Sequence, residues 1–300
     1  MIGAELEAAR PATGAGFADA VTFSFGDPDA GLYGAARLGL LAGEPARASA
    51  LGMLFSGREL AAAPAAAVDA GATGWERFSA GPVSASVVEP LREWRVALDD
   101  SEDGFELVFR AVSDPLELGE DTAFARAAGL RGYEQLCTVS GTVRAGGRAR
   151  RVEALGQRGH QWGVPDWDRT ESARSVSAWL GPGQGVAISA VRPVGAGGHD
   201  REAMSAFVIE SADEGVASVA EEIAEPRLST LYDARGRQLR ASAELPSGGE
   251  GSYPRRLAGS LVCGTTLELG PLVLDAAFFA WNMEGRDGVG RYDVLRRAGR

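Results

Sequence analysis

Apolar and polar positions alternate along most of this chain. Trp94, Val96 and Leu98 alternate with Arg95, Ala97 and Asp99. After Asp100-Ser101-Glu102-Asp103-Gly104 the alternation resumes, with Phe105, Leu107 and Phe109 against Glu106 and Arg110. A period of two sends successive side chains to opposite faces of a strand, so this stretch predicts a β-hairpin with a polar turn. The same pattern predicts a hairpin over 133–143 and 149–162 across Gly146-Gly147, and another over 175–180 and 186–192. A fourth spans 222–232 and 237–245. Strands follow at 257–268 and 271–284, and a short one at 291–295. Earlier, strands are expected at 21–25, 31–41 and 46–60, separated by Asp27-Pro28 and Gly43-Glu44-Pro45. Residues 61–68 are alanine-rich, but Pro64 sits in their middle and argues against a helix. Residues 114–131 read as a long loop with one helical turn over 122–128.

Many short strands punctuated by turns mean an all-β sandwich or barrel. Roughly twenty strands exceed one small barrel. Two tandem antiparallel barrels, over residues 1–155 and 156–300, are the economical arrangement. No internal sequence repeat accompanies them.

Composition narrows the chemistry. The 41 glycines and 14 prolines among 300 residues suit short strands better than long helices. All 30 basic residues are arginine, which excludes a Schiff-base lysine, a pyridoxal phosphate anchor and a P-loop lysine. The net charge of −11 disfavours nucleic acid and acidic membrane surfaces as partners. The basic cluster Arg144, Arg148, Arg150 and Arg151 surrounds Gly146-Gly147 and reads as a solvated hairpin tip. Cys137 and Cys263 lie in apolar sequence and read as buried free thiols. No signal peptide and no membrane span are visible, so the expected location is cytoplasmic.

Several site patterns fail. There is no Gly-x-Ser-x-Gly, and Gly14-Ala15-Gly16 and Gly288-Val289-Gly290 lack a strand–turn–helix context. His160 and His199 have no second histidine or cysteine at ligand spacing, so neither a metal nor any other cofactor is expected. His199, among glycines, reads as part of a solvated loop.

One segment stands out. Residues 153–169 carry Arg158, His160, Gln161, Trp162, Asp166, Trp167 and Asp168, with glycines at 156, 159 and 163. On a regular strand Arg158, His160 and Trp162 share a face. Pro165 ends the strand. Two readings coexist: a structural one, in which Trp162 plugs a barrel and Arg158 and His160 bind nearby carboxylates, and a ligand pocket with a polar end and an apolar wall.

Tyr133-Glu134-Gln135, the hairpin that follows and Gly156 to Gly163 resemble the centre of the AttH / carotenoid 1,2-hydratase superfamily. Its typical motif is Asp-His-Asn/Ser-Trp-Gly, and Gly159-His160-Gln161-Trp162-Gly163 occupies those positions. The resemblance covers residues 130–182, and the run from Trp281 to Tyr292 is compatible with it. It implies two tandem lipocalin-like barrels and an apolar, isoprenoid- or lipid-like ligand. Family activities include carotenoid hydration, and related proteins are cofactor-free cyclases. The motif's aspartate is Gly159 here. Hydrating an isolated alkene needs an acid to protonate carbon, so a different carboxylate must serve. Asp166 is nearest the motif; Asp168, Glu134 and Glu153 are the other candidates.

The expected catalytic pair is therefore His160 and Asp166. Arg158, Trp162, Gln161, Tyr133, Trp167 and Trp281 are the expected ligand contacts. The leading function is a lipocalin-like protein that binds an apolar small molecule in a barrel or inter-barrel pocket. The alternative is a cofactor-independent hydratase or lyase, isomerase or cyclase acting on an isoprenoid or polyketide-like substrate. Oligomeric state is not legible.

Overall fold

The chain, seen in a computed structural model, is described over residues 4–43, 45–70, 74–198, 201–211, 218–246 and 253–298. His199 lies outside the described residues. Apart from a 3-10 turn (Ala4–Glu7) and α1 (Ala123–Ala128), every regular element among the described residues is a strand.

The strands run in chain order as β1 (Ala18–Asp27), β2 (Leu32–Leu41), β3 (Arg47–Ser56), β4 (Glu59–Ala62), β5 (Ala65–Asp69) and β6 (Arg77–Ala80). Next come β7 (Val83–Glu89), β8 (Glu93–Asp100), β9 (Asp103–Ala111), β10 (Leu116–Leu118), β11 (Leu130–Ala145) and β12 (Arg148–Gly163). The rest are β13 (Thr170–Gly181), β14 (Gln184–Pro193), β15 (Ala203–Ser211), β16 (Ser218–Glu222), β17 (Arg227–Tyr232), β18 (Gln238–Leu245), β19 (Arg255–Leu269), β20 (Leu272–Met283) and β21 (Arg286–Arg297). The predicted hairpins are present. Pro64 separates β4 from β5 and ends no helix. The expected single strand over 46–60 is two, because the chain turns at Gly57-Arg58.

Contacts divide the chain into two units: Met1–Glu117 with Gly129–Pro165, and Leu118–Ala128 with Asp166–Arg300. The expected boundary at 155/156 falls inside β12. That strand pairs with β11 along its whole length, from Arg148 to Gly163, and a division there would cut one continuous ladder.

The first unit is an antiparallel sheet in the order β4-β3-β2-β1-β12-β11-β9-β8-β7-β6. It curls until β6 and β7 at one end touch β2, β3 and β5 near the other. Alternation supplies the interior: Phe23, Phe25, Trp94, Phe105 and Phe109 are all buried. Phe23 packs 5.2 Å from Trp94 and 5.3 Å from Phe109, centroid to centroid. At the β11–β12 tip Gly146 and Gly147 both have positive φ, as a two-residue hairpin turn requires.

The second unit is a sheet in the order β16-β15-β14-β13-β21-β20-β19-β18-β17. Its core includes Val176, Ile188, Phe279, Trp281 and Tyr292. α1 packs against β14 and β15. Cys137 and Cys263 are buried free thiols, and burial pushes both up to about 12.

Trp281 lies against Gly259 on the neighbouring strand, where a Cβ would strike its ring. Gly259→Ala is expected to lower stability by about 1–3 kcal/mol through overpacking, measured by urea unfolding. An unchanged midpoint would show that the Trp281 ring moves freely.

Candidate functional site

The site is built on three adjacent strands of the first unit, β1, β12 and β11. Their register sets Arg158 between Phe23 and Gln135, His160 between Val21 and Tyr133, and Trp162 between Asp19 and Arg131. Arg158, His160, Tyr133 and Gln135 are all buried to 2 % exposure or less. A guanidinium there requires a counter-charge.

The counter-charge comes from outside the sheet. Glu7, at the end of the 3-10 turn, reaches in and accepts two hydrogen bonds from Arg158, at 2.8 and 3.0 Å. Its carboxylate also accepts from the Tyr133 hydroxyl at 2.9 Å and the Leu91 N–H at 2.5 Å. Arg158 donates further to the Gln135 side-chain carbonyl. The Gln135 amide in turn donates to the carbonyls of Leu91 (3.1 Å) and Ser113 (2.9 Å). Burial alone would push the Glu7 carboxyl up, but the Arg158 charge and the converging donors hold it below the ordinary value. Burial also opposes the Arg158 charge, yet Tyr133 and Glu7 raise it above its usual range. The Tyr133 hydroxyl is pushed well up, first by burial.

His160 is wholly enclosed. Its Nδ1 lies 3.1 Å from the Leu6 carbonyl and its Nε2 2.5 Å from Asp19 Oδ1. The Leu6 carbonyl can only accept, so Nδ1 is the donor of the first contact. Asp19 Oδ2 accepts from the Arg10 N–H at 2.8 Å and the Trp75 indole at 3.3 Å. The Arg10 guanidinium stacks 4.2 Å over Trp162. Residues 6–10 are thus fastened to β1, β11 and β12 and to the Leu91 N–H.

The opposite face of the same strands carries a different group. Glu134 pairs with Gly159, which in turn pairs with Thr22. Glu134 is 8 % exposed and its hydrogen-bond partner is the Gln157 amide, 2.5 Å from Oε2. No cation pairs with it among the described residues. Burial, only partly offset by Gln157, pushes its carboxyl up to about 7. A Cβ on Gly159 would meet the Thr22 hydroxyl at 3.0 Å and Glu134 Cγ at 3.6 Å, so the glycine leaves open the space beside that side chain.

The expected site residues therefore separate. Tyr133, Arg158 and His160 form one buried network, with Trp162 at its edge. Trp162 is half-buried, not enclosed, because its cover is the single side chain of Arg10. Gln161 points to the Glu134 face, between Ala20 and Gly132. Asp166 belongs to the second unit and is exposed. Its Oδ1 accepts from the N–H groups of Asp168 and Arg169, both at 3.1 Å, so it shapes a turn. Trp167, on the same turn, is half-buried. Asp168 pairs with Arg297 at 2.8 Å. Trp281 is core of the second unit, stacked 5.2 Å from Phe279.

Glu7, Arg10, Asp19 and Trp75 are the members that sequence reasoning missed. One signal was available: Asp19 has the inward parity of Val21 and Phe23, and an acid in an apolar row asks for a partner. Among the described residues no group of three or more His, Cys, Asp or Glu is placed to hold a metal. An open groove of about 550 Å³ lies over β6–β9 beside Arg77, Arg95 and Glu106, away from both networks.

Two antiparallel, lipocalin-like units, with a Gly-His-Gln-Trp-Gly strand in the first, define an all-β protein of tandem lipocalin-like fold. Within that class, the chain belongs to the family described as Domain of unknown function (DUF7064), matched over residues 4–297. No curated protein matches it. Among solved structures it is similar to a protein of Nitrosomonas europaea assigned as AttH, with TM-score 0.69, 14% identity and coverage of 93% of this chain and 91% of that one. It is also similar to CghA in complex with Sch210972 (TM-score 0.61, 14% identity, 94% and 88% covered). A third is kievitone hydratase of Nectria haematococca (TM-score 0.57, 12% identity, 95% and 89% covered). At these identities the likeness is one of fold. In none of the described residues does a helix reach the length and apolarity needed to cross a membrane.

Two outcomes follow for the buried network. His160→Gln is expected to lower stability by about 1–3 kcal/mol, because neither Leu6 nor Asp19 keeps its partner in place. Glu7→Gln leaves Arg158 uncompensated and is expected to cost about 3–5 kcal/mol at neutral pH. The Glu7 carboxyl is held low in the folded state, so its contribution is present above about pH 4.5 and is lost as pH falls through the folded value. The gap between wild type and Glu7→Gln should therefore narrow in acid. A gap independent of pH, in denaturant titrations from pH 7 to 3, would contradict the assignment.

Proposed function

We propose that this protein is a cofactor-independent enzyme of the hydratase, lyase or isomerase kind, acting on an apolar isoprenoid- or polyketide-like molecule. Glu134 is its proton carrier. The observation that supports this is a carboxyl 8 % exposed, with an amide for its hydrogen-bond partner and no cation among the described residues. Burying such a group costs stability, and a value near 7 suits both giving and taking a proton at neutral pH. In hydration the neutral carboxyl would deliver its proton to an alkene carbon. Water would add to the resulting cation, and the excess proton would return to the carboxylate. The hydratase likeness in fold agrees with this chemistry. Glu134 takes the place proposed for Asp166, which is spent on a turn. His160 and Trp162 lie on the other face of the sheet, so they belong to a separate network and do not assist Glu134 directly.

Storage of a ligand deep in the first barrel has less support. Phe23, Phe25, Phe105 and Phe109 fill that interior.

The test reads Glu134 directly. A carboxyl whose folded pKa is raised stabilises fully below its unfolded value, near 4.5, and the contribution is lost as pH rises through the folded value near 7. Wild type is therefore expected to lose about 3 kcal/mol relative to Glu134→Gln between pH 4.5 and 7. Carboxyl-labelled carbon NMR should show one glutamate titrating near 7 that is missing in Glu134→Gln. A Glu134 signal that titrates near 4.5 would remove the basis of the proposal.

A further inference from the structure

The donors around Glu7 constitute a carboxylate receptor. Arg158 presents both terminal nitrogens to one carboxylate, at 2.8 and 3.0 Å, in the fork geometry that suits such a group. The Tyr133 hydroxyl and the Leu91 N–H complete a set of four donors on its two oxygens. All are supplied by the barrel. The carboxylate they grip is not: Glu7 sits on a 3-10 turn outside the sheet, joined to β1 through residues 8–17. The walls are aromatic. The Arg158 guanidinium lies 5.7 Å from the Trp94 ring and 5.4 Å from that of Tyr133. Its Nε is buried without a hydrogen-bond partner.

The remaining ties on residues 6–10 are few. They are the Leu6 carbonyl on His160, the Arg10 N–H on Asp19, a 3.5 Å contact from Arg10 to the Leu6 carbonyl, the Ala8 N–H on the Glu5 carbonyl at 3.3 Å, the Arg10 guanidinium on Trp162, and Ala9 packed against the core. Two of these are hydrogen bonds to buried partners, His160 and Asp19.

We infer that the mouth of the first barrel is a binding site for an apolar molecule bearing a carboxylate, and that Glu7 is its tethered intramolecular occupant. Arg158, Tyr133 and the Leu91 N–H take the ligand carboxylate in place of that of Glu7. The apolar tail takes the volume that residues 4–10 vacate. Exchange replaces one ion pair by another, so Arg158 is never left bare. A barrel mouth with a few convergent polar groups over an apolar wall is a common ligand site. The site is separated by the sheet from Glu134 and stands or falls independently of the proton chemistry proposed there.

The probes are decanoate and decanol, matched in chain length and used below micelle-forming concentrations with the full chain. Hydrogen exchange is followed at the backbone amides of residues 4–10. Decanoate is expected to raise exchange there saturably, while β11 and β12 stay protected and decanol has no such effect. Glu7→Asp keeps the charge but withdraws it by one methylene. A weaker tethered competitor frees more of the site, so this variant is expected to bind decanoate ~10-fold more tightly than wild type. Undisturbed protection of residues 4–10 at the solubility limit of decanoate would overturn the inference. So would an equal response to decanol, or a folded Glu7→Asp with no gain in affinity. If Glu7→Asp fails to fold, the wild-type exchange result decides alone.

Discussion

A guanidinium at 2 % exposure inside an apolar barrel sets the terms for the first unit. Arg158 cannot sit beside Phe23 and Trp94 without a carboxylate, because the desolvation of an unpaired charge exceeds what any single packing contact returns. The sheet itself offers none at that position: its interior neighbours on β1 and β11 are Phe23 and Gln135. The carboxylate must come from a segment that is not a strand, and Glu7 provides it. Folding the segment in brings Leu6 to His160 and Arg10 to Asp19 and Trp162. One electrostatic demand therefore fixes the path of the chain before β1, encloses the histidine, and closes the barrel mouth.

The same three strands show how strand parity partitions chemistry. Arg158 and His160 face inward, where each polar atom except Arg158 Nε has a partner. Gln157, Gly159 and Glu134 face the other way, and there a carboxyl lacks a counter-charge. The inner face pairs its buried charge, as a closed core requires. The outer one holds Glu134, the one of these carboxyls that no cation pairs with among the described residues. A one-residue shift of β12 would exchange the two faces, so the bulge-free register from Leu130↔Gly163 to Ala145↔Arg148 is what keeps them apart.

Local pattern was legible where packing follows period. The alternation at 94–98 and 105–109 marks inward rows that are buried in the barrel, and Pro64 marks a strand break. The grouping of Arg158, His160 and Trp162 on one face follows from parity alone, and Tyr133 joins them through the hairpin register. What stayed hidden depends on distance in sequence. Glu7 lies 151 residues from Arg158, and Asp19 lies 141 from His160. No spacing rule connects such pairs; only the curl of the sheet does. Asp166 is near the motif in sequence, but Pro165 ends the first unit and the next residues form a turn in the second. Proximity along the chain therefore pointed to a carboxylate that the structure places on an exposed turn. Glu134 was nameable but not rankable, since its burial depends on the whole sheet.

The second unit solves the same problem with different residues. Arg174 on β13 is 3 % exposed and donates to Glu202, which precedes β15, to the Tyr292 hydroxyl on β21 at 3.3 Å, and to Thr230 on β17 at 3.2 Å. In both units an inward arginine stands beside a tyrosine from the neighbouring strand and grips a glutamate from outside the ladder. Yet no sequence repeat links them. The recurring element is an arrangement of donors around one carboxylate, which many sequences satisfy, so it leaves no periodic trace. The two differ in one respect that bears on function. The Arg174 hydroxyl partners hydrogen-bond each other at 2.6 Å and its remaining donor bond goes to the Leu228 carbonyl, which locks the cluster to the wall. Around Arg158 the acceptors are Glu7 and Gln135, and only Gln135 belongs to the sheet. The buried charge of the first barrel therefore depends on a segment that lies ahead of its first strand.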